Sequence, residues 1–423
     1  MRILHSLVRC FLLFREPVQM DLFFWKKKNY VLMHKNIPVL KGEYDKGSAS
    51  FTKIADVCNA EHVPYSARDE NGVSLKKLNH WYHWRGIPDY RQGLSRLLDR
   101  LDAKNPRELL NECHAVSVSD HYWLKEENED IQYEDVSFFR HSFDQDGFGR
   151  AMFSLGRAEV DASARRTPNN TLAGYQKKAW FRKNGELVLY KGGTLPRQLE
   201  PVHEKLACEI GRRLGMDVIP YSTAVYENQV VSVCANMLDE AHELITAEDV
   251  LSTRVPEKDT FALYTYMDIL QEHGVPDVNK AMDDMLVLDF LMMNTDRHNQ
   301  NLGVIINADT MQWEKAAPIF DTGTGLGCLK EDSEVEHLAS AYSYRLFNSE
   351  KILDNVVSYL ITDLSRYDLR SLRDIPEYYY GILKEFQALT GIRDERIVAQ
   401  VNLLVGRINA LYKLQKKGKH NER

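Results

Sequence analysis

A chain of 423 residues is longer than one ordinary hydrophobic core can organise, so two or three packed units are expected. Apolar residues at 44% and charged residues at 27% are the mix of a soluble globular protein, which excludes a largely disordered chain. A formal charge of −7 excludes a surface built throughout to neutralise phosphates, so no direct binding of nucleic acid is expected.

Residues 1–19 form an extension whose short apolar run is interrupted by Arg9, and no small-residue cleavage site follows. Its longest uncharged apolar stretch, Cys10 to Phe14, falls far short of the roughly 20 residues that span a bilayer, so no membrane partner is expected. Met20 is an alternative start. The six cysteines, Cys10, Cys58, Cys113, Cys208, Cys234 and Cys328, contain no C-x-x-C pair. Their scatter suggests neither a zinc site nor a disulfide framework and fits a reducing cytoplasm.

Residues 20–114 read as an accessory α+β region. FFWKKKNYVLMH is strand-like, and LNHWYHWRGIPDYRQGLSRLLDRL passes through Pro88 into an amphipathic helix with Leu94, Leu97, Leu98 and Leu101 on one side. Packing accounts for the aromatic cluster Trp81, Tyr82 and Trp84 better than a binding surface does. Residues 115–238 read as a connector followed by a small lobe. Two strand-like runs flank an Asn184-Gly185 turn, and Pro201 opens a helix with Val202, Leu206, Ile210 and Leu214 on one stripe. AVYENQVVSVCANM adds a hairpin. Residues 239–423 read as a helical lobe in which AMDDMLVLDFLMM leads straight into NTDRHNQN. The last helix repeats apolar positions at Ile397, Val401, Leu404, Ile408 and Leu411.

The chemistry-bearing residues lie at two places in that lobe. Asp296, His298 and Asn301 form D-x-H-x-x-N at the mouth of an apolar helix, and PIFDTGTG follows a strand-turn-strand pattern that would return Asp321 beside Asn301. Asp and Asn favour turns anyway, so either cluster alone is ambiguous. Together they supply what phosphoryl transfer requires: a carboxylate to orient an acceptor hydroxyl, and hard oxygen ligands for Mg²⁺. His298 either orients a carboxylate or phosphate or makes a structural hydrogen bond. Upstream, Lys191 ends the strand ELVLY as a point charge for phosphates. Glu204 and Glu209 compete to pair with it; they lie about 140° apart around the helix, so only one faces the site. The stretch from Asn170 to Lys178, including Thr171, Gly174 and Gln176, offers backbone N–H groups to nucleotide phosphates, though with one glycine it is a poor motif by itself.

Over about residues 115–415 these motifs resemble the HipA family of bacterial serine/threonine kinases. The resemblance implies a two-lobed divergent kinase fold of the α+β class, distantly similar to phosphatidylinositol 3-kinase-like enzymes, with ATP and Mg²⁺ as cofactors. It implies Asp296 as catalytic aspartate, Asn301 and Asp321 as metal ligands, Lys191 on the ATP phosphates, and Glu204 as its glutamate. TLAGYQKKAW would be the phosphate loop, with Thr171 at a position open to inhibitory autophosphorylation, and Asn236 would fall near the adenine hinge. The implied function is phosphorylation of a protein serine or threonine, with a toxin role and an antitoxin-like partner as further expectations. A small-molecule phosphotransferase and an inactive nucleotide-binding interaction module are the alternatives.

Overall fold

The computed structural model describes residues 28–421, apart from 71, 159, 255–260, 336–337, 339–342, 348 and 353–358. The N-terminal extension, the Met20 alternative and the first residues of the FFWKKKNYVLMH strand therefore lie outside the described residues.

Three antiparallel strands, Lys28–His34, Ile37–Asp45 and Ser50–Val57, open the chain. A fourth, Tyr122–Glu126, pairs with the first of them, giving the order third, second, first, fourth. The segment read as a connector thus supplies an edge of the N-terminal sheet. Helix Leu75–His83 is capped by Ser74, whose side chain accepts from the Lys77 N–H. It lays Leu78 and Tyr82 on Tyr44, Phe51 and Leu124. Tyr82 is therefore core, whereas Trp84 at the helix end is 41% exposed. The expected leucine helix begins at Leu94, and Leu97 and Leu101 bury against helix Gln145–Phe153.

The small lobe is an antiparallel sheet built from Lys178–Lys183, Glu186–Gly192, Gln229–Ala235 and Ser222–Tyr226, in that spatial order. Asn184 and Gly185 both have positive φ, at 51° and 88°, which is the two-residue hairpin geometry their types favour. That tight turn sets the register, placing Lys178 directly opposite Lys191. Helix Glu200–Arg213 then buries Val202, Leu206 and Ile210 completely, with Leu214 at its end.

In the large lobe, helix Val278–Met292 is buried along nearly its whole length and forms the spine of the main core. Its apolar residues have no solvent-facing stripe because helices Ala262–Glu272, Ile375–Thr390 and Asp394–Asn421 share that core. Ile397, Leu404 and Leu411 of the last helix are fully buried, as their spacing predicts. Strand Gly303–Asn307 pairs with Trp313–Ala316 in the expected hairpin, and strand His242–Thr246 adds to its other edge. From the hairpin the chain runs to Ile319, whose N–H donates to the Asp217 carbonyl (2.8 Å) and whose carbonyl accepts from Ile219 (3.0 Å). This tie to the small lobe fixes the approach to Asp321.

Candidate active site

Lys191 sits at the end of a central strand and is only 4% exposed. An ammonium that deep needs anionic partners. It has two: it donates to Glu204 Oε1 from the helix behind the sheet and to Asp321 Oδ1 from the other lobe. Glu204 also accepts from Ser232 on the neighbouring strand. The choice between the two glutamates is thereby settled, since Glu209 faces away and pairs with Arg212 (2.8 Å) and Arg213 (2.7 Å). Burial disfavours a charged lysine at position 191, but Asp321 and Glu204 outweigh it and hold the Lys191 pKa above its usual range. Burial raises the pKa of Glu204, against the pull of Lys191. Burial also acts to raise Asp321, but Lys191 and Lys178 prevail and hold it well below the usual carboxylate range, so it is anionic at neutral pH.

Asp321 has φ +55°, a conformation that non-glycine residues adopt at a cost. The following turn passes so close to the glutamate helix that a Cβ on Gly323 would lie 2.8 Å from the Glu200 carbonyl oxygen. His203 braces the same turn from within: its Nδ1 lies 3.2 Å from the Gly323 carbonyl and its Nε2 2.7 Å from the Tyr379 hydroxyl. Burial pushes His203 down to about 3, so the ring is neutral, donating to the carbonyl through Nδ1 and accepting from the tyrosine.

Across the cleft, a buried arginine organises NTDRHNQN. Arg297 donates to both carboxylate oxygens of Asp289 (2.8 and 2.9 Å), to the Asn301 carbonyl (2.6 Å), to the Phe320 carbonyl (2.6 Å) and to Thr322 Oγ1 (3.2 Å). One guanidinium thus fastens the polar loop to the residues on either side of Asp321. The Asn301 amide nitrogen donates to the Asp296 carbonyl (2.9 Å), which leaves its Oδ1 as the atom available to a cation. The Asp296 side chain is 44% exposed and faces the open side, with His298 Nε2 3.8 Å from Oδ2 and Arg345 Nη1 4.0 Å from Oδ1. These contacts are electrostatic rather than hydrogen bonds. Burial lowers the His298 pKa despite Asp296 and Asp321, and its Nδ1 accepts from the Gln300 N–H (3.3 Å).

The phosphate-loop candidates are dispersed differently. Gly174 has φ +92°, and a Cβ there would meet Lys178 Nζ at 2.7 Å. Lys178 lies partly buried beneath the loop, and burial pushes it down to about 8, with Asp321 opposing. Gln176 is half-buried. Thr171 is buried in a 3₁₀ turn, Pro168–Thr171, where its hydroxyl donates to the Pro168 carbonyl (2.9 Å) and lies 3.3 Å from that of Val116. In this conformation it is not presented for modification. Asn236 directs its amide to the Val118 carbonyl (2.9 Å), towards the N-terminal segments. The N-terminal unit also grips the loop: Arg91 donates to the Leu172 carbonyl, and the Gln92 N–H donates to the Tyr175 carbonyl (2.8 Å).

Three contributors escaped the motif reading. Lys178 was legible in principle, because the Asn184-Gly185 turn puts it opposite Lys191. Asp289 interrupts the apolar run LVLDFLMM, and a carboxylate on a buried helix announces a cationic partner, here Arg297. His203 carried no signal beyond its place in an otherwise apolar helix face.

A lysine-glutamate pair in a β-rich lobe, facing a polar loop and an aspartate in a helical lobe, defines a two-lobed kinase-like protein. In sequence the chain is similar to the serine/threonine-protein kinase CtkA of Helicobacter pylori, at 32% identity over 129 residues. That match covers 29% of this chain and 39% of the relative, so the chain spans about two fifths of that relative's length. No protein-family model matches the chain. Similar solved structures include the proinflammatory kinase CtkA of H. pylori, with a TM-score of 0.46 and 18% identity over 58% of this chain and 95% of that one. Another is HipA of Shewanella oneidensis, in a complex with HipB and operator DNA, with a TM-score of 0.49 and 12% identity over 92% and 99% of the two chains.

Proposed function

We propose that the chain is an ATP- and magnesium-dependent kinase acting on serine or threonine of a protein. The observation that carries this reading is Lys191, held by Glu204 within one lobe and reaching Asp321 in the other. Such a group sits where a triphosphate between the lobes would exchange its own oxygens for the carboxylate of Asp321. Lys178, directly opposite on the neighbouring strand, adds a second positive charge. The Gly174 loop would contribute backbone N–H groups, and its φ of +92° is a conformation that glycine takes without a steric penalty. Asp296, exposed and close to neutral His298, would accept the proton of the acceptor hydroxyl. The donor set fits Mg²⁺, since Asp321 and Asn301 offer hard oxygen atoms on strands of chain that Arg297 ties together. Bound there, the ion would neutralise charge that develops during transfer. A protein acceptor is favoured by the serine/threonine-protein kinase among the chain's relatives.

Incubation of the purified chain with labelled ATP and Mg²⁺ tests the proposal. Label should appear on the chain itself or on lysate proteins, and Asp296→Ala and Asp321→Ala should each reduce it by roughly 10³-fold or more. No transfer by the wild type, or near-normal transfer by Asp321→Ala, would overturn the assignment.

A further inference from the structure

A second polar cluster lies on the seam between the N-terminal unit and the helical lobe. His34 ends the first strand, His121 immediately precedes the fourth, and Glu243 belongs to strand His242–Thr246 of the large lobe. All three are at most 2% exposed. Glu243 Oε1 receives His34 Nε2 at 2.8 Å, His121 Nδ1 at 2.9 Å and the His121 backbone N–H at 2.6 Å. The two ring nitrogens and the carboxylate oxygen all lie within 4.8 Å of one another.

We propose that His34, His121 and Glu243 form a structural Zn²⁺ site that pins the N-terminal unit to the helical lobe. Two imidazole nitrogens and one carboxylate oxygen are a donor set that zinc takes readily, with water as the fourth ligand. A carboxylate buried this deeply requires a cation, and the nearby arginine, Arg85, already pairs with Asp120. The surroundings also match a metal site. His34 Nδ1 lies 2.8 Å from His62 Nδ1, the kind of outer contact that fixes a ligating ring. His121 Nε2 is buried with no hydrogen-bond partner, so the polar groups around this cluster are not fully satisfied by one another. Zn–N bonds of about 2.0–2.1 Å imply ligand atoms about 3.3 Å apart in a tetrahedron, so the two histidine–carboxylate contacts open by roughly 0.5 Å to admit the ion.

The test uses the full chain, dialysed after exposure to ZnSO₄ and then measured for metal content. The wild type should retain about one zinc per chain, Asp321→Ala should retain the same amount, and His121→Ala and Glu243→Gln should retain almost none. His62→Ala, at a half-buried position that leaves the three ligands in place, should weaken zinc affinity about 10- to 100-fold. Cobalt substituted into the wild type should give the intense visible bands of a tetrahedral site, and EDTA should lower the melting temperature. A wild type that retains no zinc, shows no cobalt bands and melts identically with and without EDTA would overturn the proposal. So would stoichiometric zinc that persists in both His121→Ala and Glu243→Gln.

Discussion

Replacing Arg297 by methionine separates two effects that the structure couples. The guanidinium is wholly buried and makes five hydrogen bonds, two of them to Asp289, which is equally buried. Breaking a buried ion pair from one side typically costs about 3–5 kcal/mol, because a carboxylate is stranded in a low-dielectric interior. Set against a typical total stability of about 5–15 kcal/mol, that loss should appear as a clear fall in the urea midpoint with little change in slope. Adding Asp289→Leu removes the stranded charge, and apolar replacements of buried pairs are often neutral or stabilising, so the double variant should regain most of the stability. Phosphoryl transfer should not return with it. The Asn301 and Phe320 carbonyls would still lack the donor that holds them 2.6 Å from a single nitrogen, and the two metal-ligand candidates would no longer share one tether. Paired denaturation and labelled-ATP assays on the single and double variants give the answer. Full recovery of activity in the double variant, or an Arg297→Met protein within about 1 kcal/mol of wild type, would refute the clamp.

Three further outcomes follow from the same geometry. Glu204→Gln should lower kcat/KM by about 10- to 100-fold, the worth of a charge-assisted hydrogen bond, whereas Glu209→Gln should stay within about threefold; equal effects on turnover would contradict the pairing. Lys178, pushed down to about 8, loses its charge as pH rises through that value, while Lys191 keeps its own. The kcat/KM for ATP should therefore fall above about pH 8 and Lys178→Arg should flatten the fall; a wild-type profile level to pH 9 would remove Lys178 from the site. His203 is held neutral in the fold at about 3, against about 6.5 when unfolded, so the unfolded chain takes up the proton first as pH drops. Stability should decline by about 1.4 kcal/mol per pH unit between roughly pH 6.5 and 3 on account of this residue, and His203→Gln should remove that component from denaturation curves.

Local rules reached the elements that local chemistry controls. The Asn184-Gly185 hairpin, the Val202 to Leu214 helix face and the stripe from Ile397 to Leu411 all follow from turn preference and periodicity, and the structure has them. The hairpin between Asn301 and Asp321 was also foreshadowed, and Arg297 draws the Asn301 and Phe320 carbonyls to one nitrogen, whereas the Lys191–Asp321 pair was not among the expectations. Glu204 and Glu209 were separable only by the direction in which their helix docks. The N-terminal unit was read least well. Its fourth strand comes from residues 122–126, after three helices, and no local pattern encodes a pairing across about ninety residues. The same holds for His34, His121 and Glu243, which share no motif and meet only when two units close on each other.

Arg91 and Gln92 reach forward to hold Leu172 and Tyr175, while Tyr122–Glu126 reaches back to complete the first sheet. The chain is therefore interleaved across its apparent boundary near residue 114. A fragment begun there would carry an orphaned edge strand with Trp123 stripped of its cover, and a Gly174 loop released from its outer moorings. The smallest piece able to reproduce the intact protein's chemistry is one that keeps both halves of this exchange, and excised versions of the kinase-like part report on a different, slacker object.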